Sequence, residues 1–374
     1  TLDPFFFFFV IGRLRGMGYN MKKIIWWIIA LLCTGSLLYY GYSLYTGTKY
    51  KEETGTNTNS ASKDLEEFYN ELEEYYPEFY KNIATSIRAT YVIPGLVQAE
   101  TIQSTGEEEG DSDQTEDMTP QGLSFLEDYV VISAYSNGGG FNSVLWVLDK
   151  KTGKYIKTIV LPTTSHVGGI AYDHLNNRLW ITTTEGDDTS QISALNLNTI
   201  KTDQFSKTKK PVEFDFQVSL GQIERSSYMA YDQEKLLVGY FDKDDHGHLG
   251  IFQLDSKGYP TGKNLDSEAY QPMTIIDTPD QIQGIAVHGH QILLSQSYGN
   301  EDSKILWFDF SGYNALTNLL EPKKELVAPP YMQQIQVEGD LLYLLFESSA
   351  FKYRINPTVT SMDRVVALSL EDVE

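Results

Sequence analysis

Cysteine is nearly absent from this chain. Cys33 is the one thiol in 374 residues, which excludes a disulfide framework and any cysteine-rich metal site. Basic residues are scarce as well, 29 Lys and Arg against 51 Asp and Glu, for a net charge of −22. Such a chain lacks the clustered cations that hold nucleic-acid phosphates, and its charge fits a solvated surface. Familiar catalytic patterns are missing too: there is no G-x-S-x-G, no H-E-x-x-H and no phosphate loop. Gly138-Gly139-Gly140 lies between two strand-like runs and opens no helix, so it makes no phosphate cradle.

Long apolar runs are confined to one place. Residues 24–48 carry no charged side chain, and 25 helical residues would span about 37 Å against a hydrocarbon core of about 30 Å. Residues 21–45 therefore read as an uncleaved transmembrane signal-anchor. Lys22 and Lys23 precede it, so the positive-inside rule places the C-terminal body outside the cytoplasm. Trp26, Trp27, Tyr39, Tyr40 and Tyr42 suit the interfacial belts. The alternatives are cleavage with secretion, or lipid attachment at Cys33, which otherwise is an apolar residue of the membrane helix. Residues 1–20 resemble nothing that follows and read as an over-extended start before Met21.

Residues 46–62 form a polar linker. In residues 63–88, Leu65, Phe68, Leu72, Tyr75, Phe79 and Ile83 recur at helical spacing, an amphipathic helix that Pro77 should kink or restart as a second helical piece. Its apolar stripe is expected to pack on the adjoining domain. Residues 91–99 read as a strand. Residues 107–117 hold seven acidic side chains, a solvated, mobile loop without the spacing of a calcium loop.

From Thr119 onward one module recurs. Its first strand reads Q-G-L-S-F from Gln121, G-G-I-A-Y-D from Gly168, Y-M-A-Y-D from Tyr228, Q-G-I-A-V from Gln283 and Q-I-Q-V from Gln334. Second strands follow tight turns (Y-V-V-I-S-A-Y, R-L-W-I-T-T-T, K-L-L-V-G-Y-F, Q-I-L-L-S-Q-S, L-L-Y-L-L-F-E), and several third strands end in an Asp turn closed by Gly, at Asp149–Gly153, Asp255–Gly258 and Asp309–Gly312. Five units of about 45–60 residues match the blade period of a β-propeller. The fifth unit has no fourth strand of its own, so the strand at 91–99 should close the last blade and lock the ring. The fold class is thus all-β, a five-bladed β-propeller spanning residues 89–374. A sixth blade is the alternative if residues 86–118 build a whole one.

The runs S-V-L-W-V-L-D-K-K-T-G-K-Y-I-K-T-I-V-L-P and H-V-G-G-I-A-Y-D-H-L-N-N-R-L-W-I-T-T-T resemble blades of the bacterial YncE-like and quinoprotein-like propellers, and loosely of the gluconolactonase group. The likeness covers residues 119–370 and is one of blade pattern. It implies a fold that serves binding proteins, lyases, lactonases and dehydrogenases alike, and no single chemistry.

In a propeller the innermost strands line a central channel, so residues entering the first strands are site candidates: Gln121, His166, Arg225, Gln281, Gln283 and Gln334. The ends of the second strands add Tyr135, Glu185, Asp242, Tyr298 and Glu347. Such a ring of amides, one imidazole, one guanidinium and carboxylates suits hydrogen bonding to a peptide, a glycan or a partner protein. The expected role is a membrane-anchored binding or scaffold module with no cofactor and no nucleic-acid partner. The alternative is a metal-dependent hydrolase or lactonase acting in the channel, although lactonase-like Glu, Asn and Asp ligands are not what enters it. Asp242, Asp244, His246 and His248 form the densest set of possible divalent-metal ligands, in a loop that otherwise reads as a solvated turn.

Overall fold

β-Branched and aromatic residues in short runs, cut by Asp, Asn and Gly turns, give the chain a succession of antiparallel hairpins. The computed structural model describes residues 64–84, 91–185, 189–355 and 360–370, with only the backbone of Glu185. Residues 1–63 and 85–88, hence the expected signal-anchor and linker, lie outside the described residues. Among the described residues no helix is long and apolar enough to cross a membrane.

Helix α1 (Leu65–Tyr75) starts at Asp64, whose Oδ1 accepts from the backbone N–H of Glu66 at 3.0 Å. Of the two outcomes expected at Pro77, the structure shows the start of a second helical piece. Pro77 ends α1 and occupies the first turn of a separate α2 (Pro77–Lys81), where a missing N–H costs nothing. After α2 the chain turns extended, so Ile83, expected on the helical stripe, instead forms a bridge with Leu368.

Strands β1 (Ala99–Ile102) and β2 (Ser112–Thr115) pair as a small separate sheet. Residues 86–118 therefore supply no sixth blade, and the acidic run is part strand instead of all loop. Five blades follow. Blade 1 is β3 (Met118–Leu126), β4 (Tyr129–Ser136), β5 (Val144–Asp149) and β6 (Tyr155–Val160). Blade 2 is β7 (Ile170–Asp173), β8 (Arg178–Glu185), β9 (Thr189–Asn196) and β10 (Phe216–Ser219), with two short helices, α3 (Leu197–Thr202) and α4 (Phe205–Thr208), between its last strands. Blade 3 is β11 (Tyr228–Asp232), β12 (Lys235–Tyr240), β13 (Gly247–Gln253) and β14 (Thr274–Thr278). Blade 4 is β15 (Ile282–His288), β16 (Gln291–Gln296), β17 (Ser303–Asp309) and β18 (Lys324–Ala328). Blade 5 has β19 (Met332–Glu338), β20 (Leu341–Phe346) and β21 (Val366–Ser369), with α5 (Phe351–Arg354) in the connection before β21.

The five innermost strands are neighbours in cyclic order, β3 beside β7, β7 beside β11, and so on until β19 returns to β3. The described part of the chain is a five-bladed β-propeller. Its apolar residues sit in the seams between blades, because each sheet has two faces and buries both only against its neighbours. Leu145, Val147 and Ile159 of blade 1 meet Leu179, Ile181 and Leu195 of blade 2. The seam between blades 4 and 5 also takes in Phe68, Leu72 and Phe79 of the two helices. The helical stripe thus packs on its own domain.

The outer edge of blade 5 is completed by the N-terminal segment. Ser369 donates to the carbonyl of Asn82 and Ala84 donates to that of Ala367. Beyond the gap, Val365 donates to Tyr91 and Ile93 to Asp363, all at 2.9–3.0 Å. The closing segment is shorter than the expected strand at 91–99. Pro94 has no N–H to continue the ladder, and Gly95, at φ +72, lies so near Trp146 that a Cβ would fall 2.4 Å from its ring. The closure also holds a buried ion pair, in which Arg364 donates to Asp363 at 2.7 and 3.1 Å.

Candidate functional site at one mouth of the channel

Antiparallel pairing puts the start of each first strand beside the end of each second strand. Both sets of expected site residues therefore belong to the same end of the ring. A cavity of about 630 Å³ opens there, and it is lined by Gln121, Tyr135, His166, Arg225, Gln283, Tyr298 and Glu347. These seven come from all five blades.

A local device aims the glutamines. The ladder between β3 and β4 skips from Pro120 to Gly122, and that between β15 and β16 from Ile282 to Gly284. Gln121 and Gln283 are thus the extra residues of β-bulges, whose side chains are turned out of the alternating pattern. In blade 5 the skip runs from Met332 to Ile335, so Ile335 matches Leu123 and Ile285. The residue equivalent to Gln121 and Gln283 is therefore Gln333, which lines the cavity. The expected register of the fifth unit is off by one.

Gln334, expected at the mouth, lies instead fully buried at the waist of the channel. Its Oε1 accepts from the N–H of Ile170 at 2.9 Å and of Leu123 at 3.3 Å, and its Nε2 donates to the carbonyls of Ile170 at 2.7 Å and Met229 at 3.1 Å. One amide from blade 5 so satisfies inner-edge backbone groups of blades 1, 2 and 3. The matching positions in blades 1, 2 and 4 are Gly122, Gly169 and Gly284. A Cβ on Gly284 would come 2.7 Å from the Cα of Gln334, and one on Gly122 3.2 Å from its Oε1. Gly122 and Gly284 make room for the large amide, while a Cβ on Gly169 would instead meet the backbone N of Met229 at 2.4 Å.

Two further expected residues, Asp242 and Gln281, stand apart from the cavity lining. Asp242 turns its carboxylate onto its own loop, with Oδ1 accepting from the N–H of Asp244 and Asp245 at 2.9 Å, and those bonds lower its pKa. Its carbonyl accepts from the N–H of Gln281, whose side chain donates to the carbonyl of Lys243 at 3.1 Å. Asp242 and Gln281 therefore tie two rim loops together. Glu185 is the last residue of β8, and its side chain lies outside the described residues. The loop set of Asp242, Asp244, His246 and His248 assembles no ligand sphere: His248 pairs with Asp277 at 3.2 Å. Among the described residues no group of three or more His, Cys, Asp or Glu is placed to hold a metal ion.

The deepest polar feature of the mouth is Glu347, at the end of β20. Gln121 donates to its Oε2 at 2.7 Å and the Tyr353 hydroxyl to its Oε1 at 2.9 Å. Lys352 stands 3.8 Å from Oε2. Burial pushes the Glu347 carboxyl above its ordinary range, against the opposing pull of Lys352, Tyr353, Gln121 and Gln333. Lys352 in turn donates to the Tyr135 hydroxyl and to Asn137 Oδ1, each at 3.1 Å. Its ammonium lies over the ring of Tyr353 at 4.5 Å and that of Tyr135 at 5.5 Å. Burial lowers the Lys352 pKa, while Glu347 and Asp117 work the other way.

Aromatic rings make up much of the wall. Tyr135 stacks on His166 at 3.9 Å, Tyr331 faces Tyr353 at 4.1 Å, and Phe241 lies 6.2 Å from Tyr298. Sequence reasoning missed Phe241, Tyr331, Gln333, Lys352 and Tyr353. Gln333 was legible from the bulge pattern, with Ile335 aligned on Leu123. Lys352 and Tyr353 were not, because they sit in a connection that has no counterpart in the other blades.

No protein-family description matches this chain, and no curated protein matches it. Among solved structures it is similar to a chain of a nidogen/laminin complex, at 13% identity over 74% of this chain and 89% of that one, with a TM-score of 0.38. A glucose dehydrogenase is similar at 11% identity over 75% and 98%, TM-score 0.39. The Dos1 propeller is similar at 12% identity over 66% and 57%, TM-score 0.36. Likeness at this level carries no chemistry.

Proposed function

We propose that this protein is a membrane-anchored, extracytoplasmic binding module that takes a glycan in the mouth of its propeller. The observation that carries the reading is the composition of the 630 Å³ cavity. Phe241 and Tyr298 line it with aromatic rings beside the stacked pairs Tyr135–His166 and Tyr331–Tyr353, and Gln121, Gln283 and Gln333 set amides among them. Sugars present both apolar C–H faces and hydroxyl edges, so aromatic platforms interleaved with amides recognise them by stacking and hydrogen bonding. The apolar, uncharged stretch after Lys22 and Lys23 supports the anchored, outward orientation.

The test is to probe glycan and peptide arrays with the detergent-solubilised full chain and to measure hits by calorimetry. Tyr298, 41% exposed at the rim, is the residue to change first. Tyr298→Ala is expected to weaken the hit by about tenfold, as loss of one stacked ring contributes about 1 kcal/mol or more. A hit whose affinity survives both Tyr298→Ala and Gln283→Ala would place the ligand elsewhere and sink the reading.

A further inference from the structure

The cavity contains one group that simple ligand binding does not use, the amine of Lys352. It is carried on α5, in the connection between β20 and β21, and reaches across the mouth to blade 1. Its side chain is 22% exposed, so it is open to the cavity and yet mostly withdrawn from water. Around it stand a buried carboxyl, Glu347, and two tyrosine hydroxyls. The first, of Tyr135, accepts from the amine, and the second, of Tyr353, donates to Glu347.

We infer that Lys352 is a nucleophile that captures small aldehydes or ketones, including open-chain reducing sugars, as an imine in the propeller mouth. A desolvated lysine beside a proton-holding carboxyl is the arrangement that such chemistry requires. The neutral amine attacks the carbonyl carbon, a C–N bond forms, and the C=O π bond opens to an alkoxide that takes a proton from the Glu347 carboxyl. The adduct returns one N–H proton to the Glu347 carboxylate, and the re-formed carboxyl gives that proton to the hydroxyl, which leaves as water. The remaining N–H proton of the iminium passes to Glu347, leaving C=N. The balance is amine plus carbonyl giving imine plus water, with no oxidant or reductant.

Burial acts in the required direction on both partners. It favours the neutral amine of Lys352 and the protonated form of Glu347. The charged and titratable groups facing the amine are Glu347 and Tyr353 of blade 5 and Tyr135 and Asp117 of blade 1. The acidic pair opposes the burial effect without reversing it. This inference rests on the mouth being a ligand site, and its outcome is separable from the glycan test. Glycan affinity without capture removes only the present inference, and capture without glycan affinity removes only the other.

The experiment treats the full chain with glycolaldehyde or pyruvate in the presence of cyanoborohydride, which reduces any imine to a stable secondary amine, and maps the modified lysines by mass spectrometry. Lys81 and Lys323, with side chains 65% and 67% exposed, serve as internal references. Lys352 is expected to be modified at least about tenfold faster than either, a gain that needs only about 1.4 kcal/mol of barrier lowering. Modification of Lys352 no faster than that of the references overturns the inference. Glu347→Gln should slow labelling at Lys352 about tenfold and leave Lys81 and Lys323 unchanged. Undiminished labelling at Lys352 in that variant would refute the role of Glu347. Should the variant fail to fold, the comparison within the unmodified chain still decides.

Discussion

Blade 1 and blade 5 are built on the same four-position plan and put to different use. Blade 1 is made of continuous chain, and its β4–β5 connection takes seven residues, 137–143. Its last turn is closed locally: Asp149 Oδ1 accepts from the N–H and the hydroxyl of Thr152, each at 2.7 Å, and Gly153 supplies the positive φ. Blade 5 borrows its outer edge from residues 82–84 and 91–93, and its β20–β21 connection runs to nineteen residues, 347–365. It also supplies the waist amide, Gln334, and three polar residues of the mouth, Gln333, Glu347 and Lys352. The lesson is that the blade that closes the ring is also the one that departs from the repeat. Where the N-terminal segment holds β21, the connection before it is released from making a tight hairpin and is free to fold over the channel.

The largest expected effect comes from breaking the closure. Deleting residues 1–93 removes the fourth position of blade 5 and the buried Phe68, Leu72, Phe79, Ile83 and Ile93. Each such side chain contributes about 1.5–3 kcal/mol, against a whole-domain stability of about 5–15 kcal/mol. The deletion should abolish cooperative thermal unfolding as followed by circular dichroism. A truncated chain that melts like the full one would show that blade 5 stands alone as blade 1 does.

Next in size is the waist. Gln334→Ala strips partners from four buried backbone groups of blades 1–3, and each unsatisfied group costs about 1–3 kcal/mol. A loss of about 3 kcal/mol or more is expected in denaturant titration. Gln333→Ala, one residue away, gives up a contact at the open mouth and should cost about 1–2 kcal/mol. Equal losses would mean that the waist is no different from the rim.

The smallest effect is a change in pH profile. The carboxyl of Glu347 titrates above its ordinary value because burial disfavours the anion. The folded state therefore binds a proton more tightly than the unfolded one. Its stabilising effect is complete below the unfolded pKa of about 4.3 and is lost as pH rises through the folded value. Glu347→Gln should flatten the fall in melting temperature as pH rises above about 4. A slope identical to that of the unmodified protein would mean that Glu347 titrates normally and is not buried in solution.

What the sequence determined by itself was the repeat. Alternating apolar runs with fixed turn chemistry are local, so strand identity, the five-blade repeat and the need for a borrowed closing strand were legible in the sequence. Helix α1 and its packing face were legible for the same reason, from Leu65, Phe68 and Leu72. Tertiary structure alone decided the rest. Aligning Q-Q-I on the Q-G-L of blade 1 and the Q-G-I of blade 4 makes Gln333 the mouth residue, but nothing local says that the side chain of Gln334 bonds the backbones of blades 1, 2 and 3. Room for that amide is left by Gly122 and Gly284 in two other blades, up to 212 positions away. Lys352 and Tyr353 belong to a unique segment with no repeat to align it, and only the folded ring brings them beside Tyr135. Pattern reports what a residue does with its chain neighbours, and the candidate site is made of residues that are neighbours only across the channel.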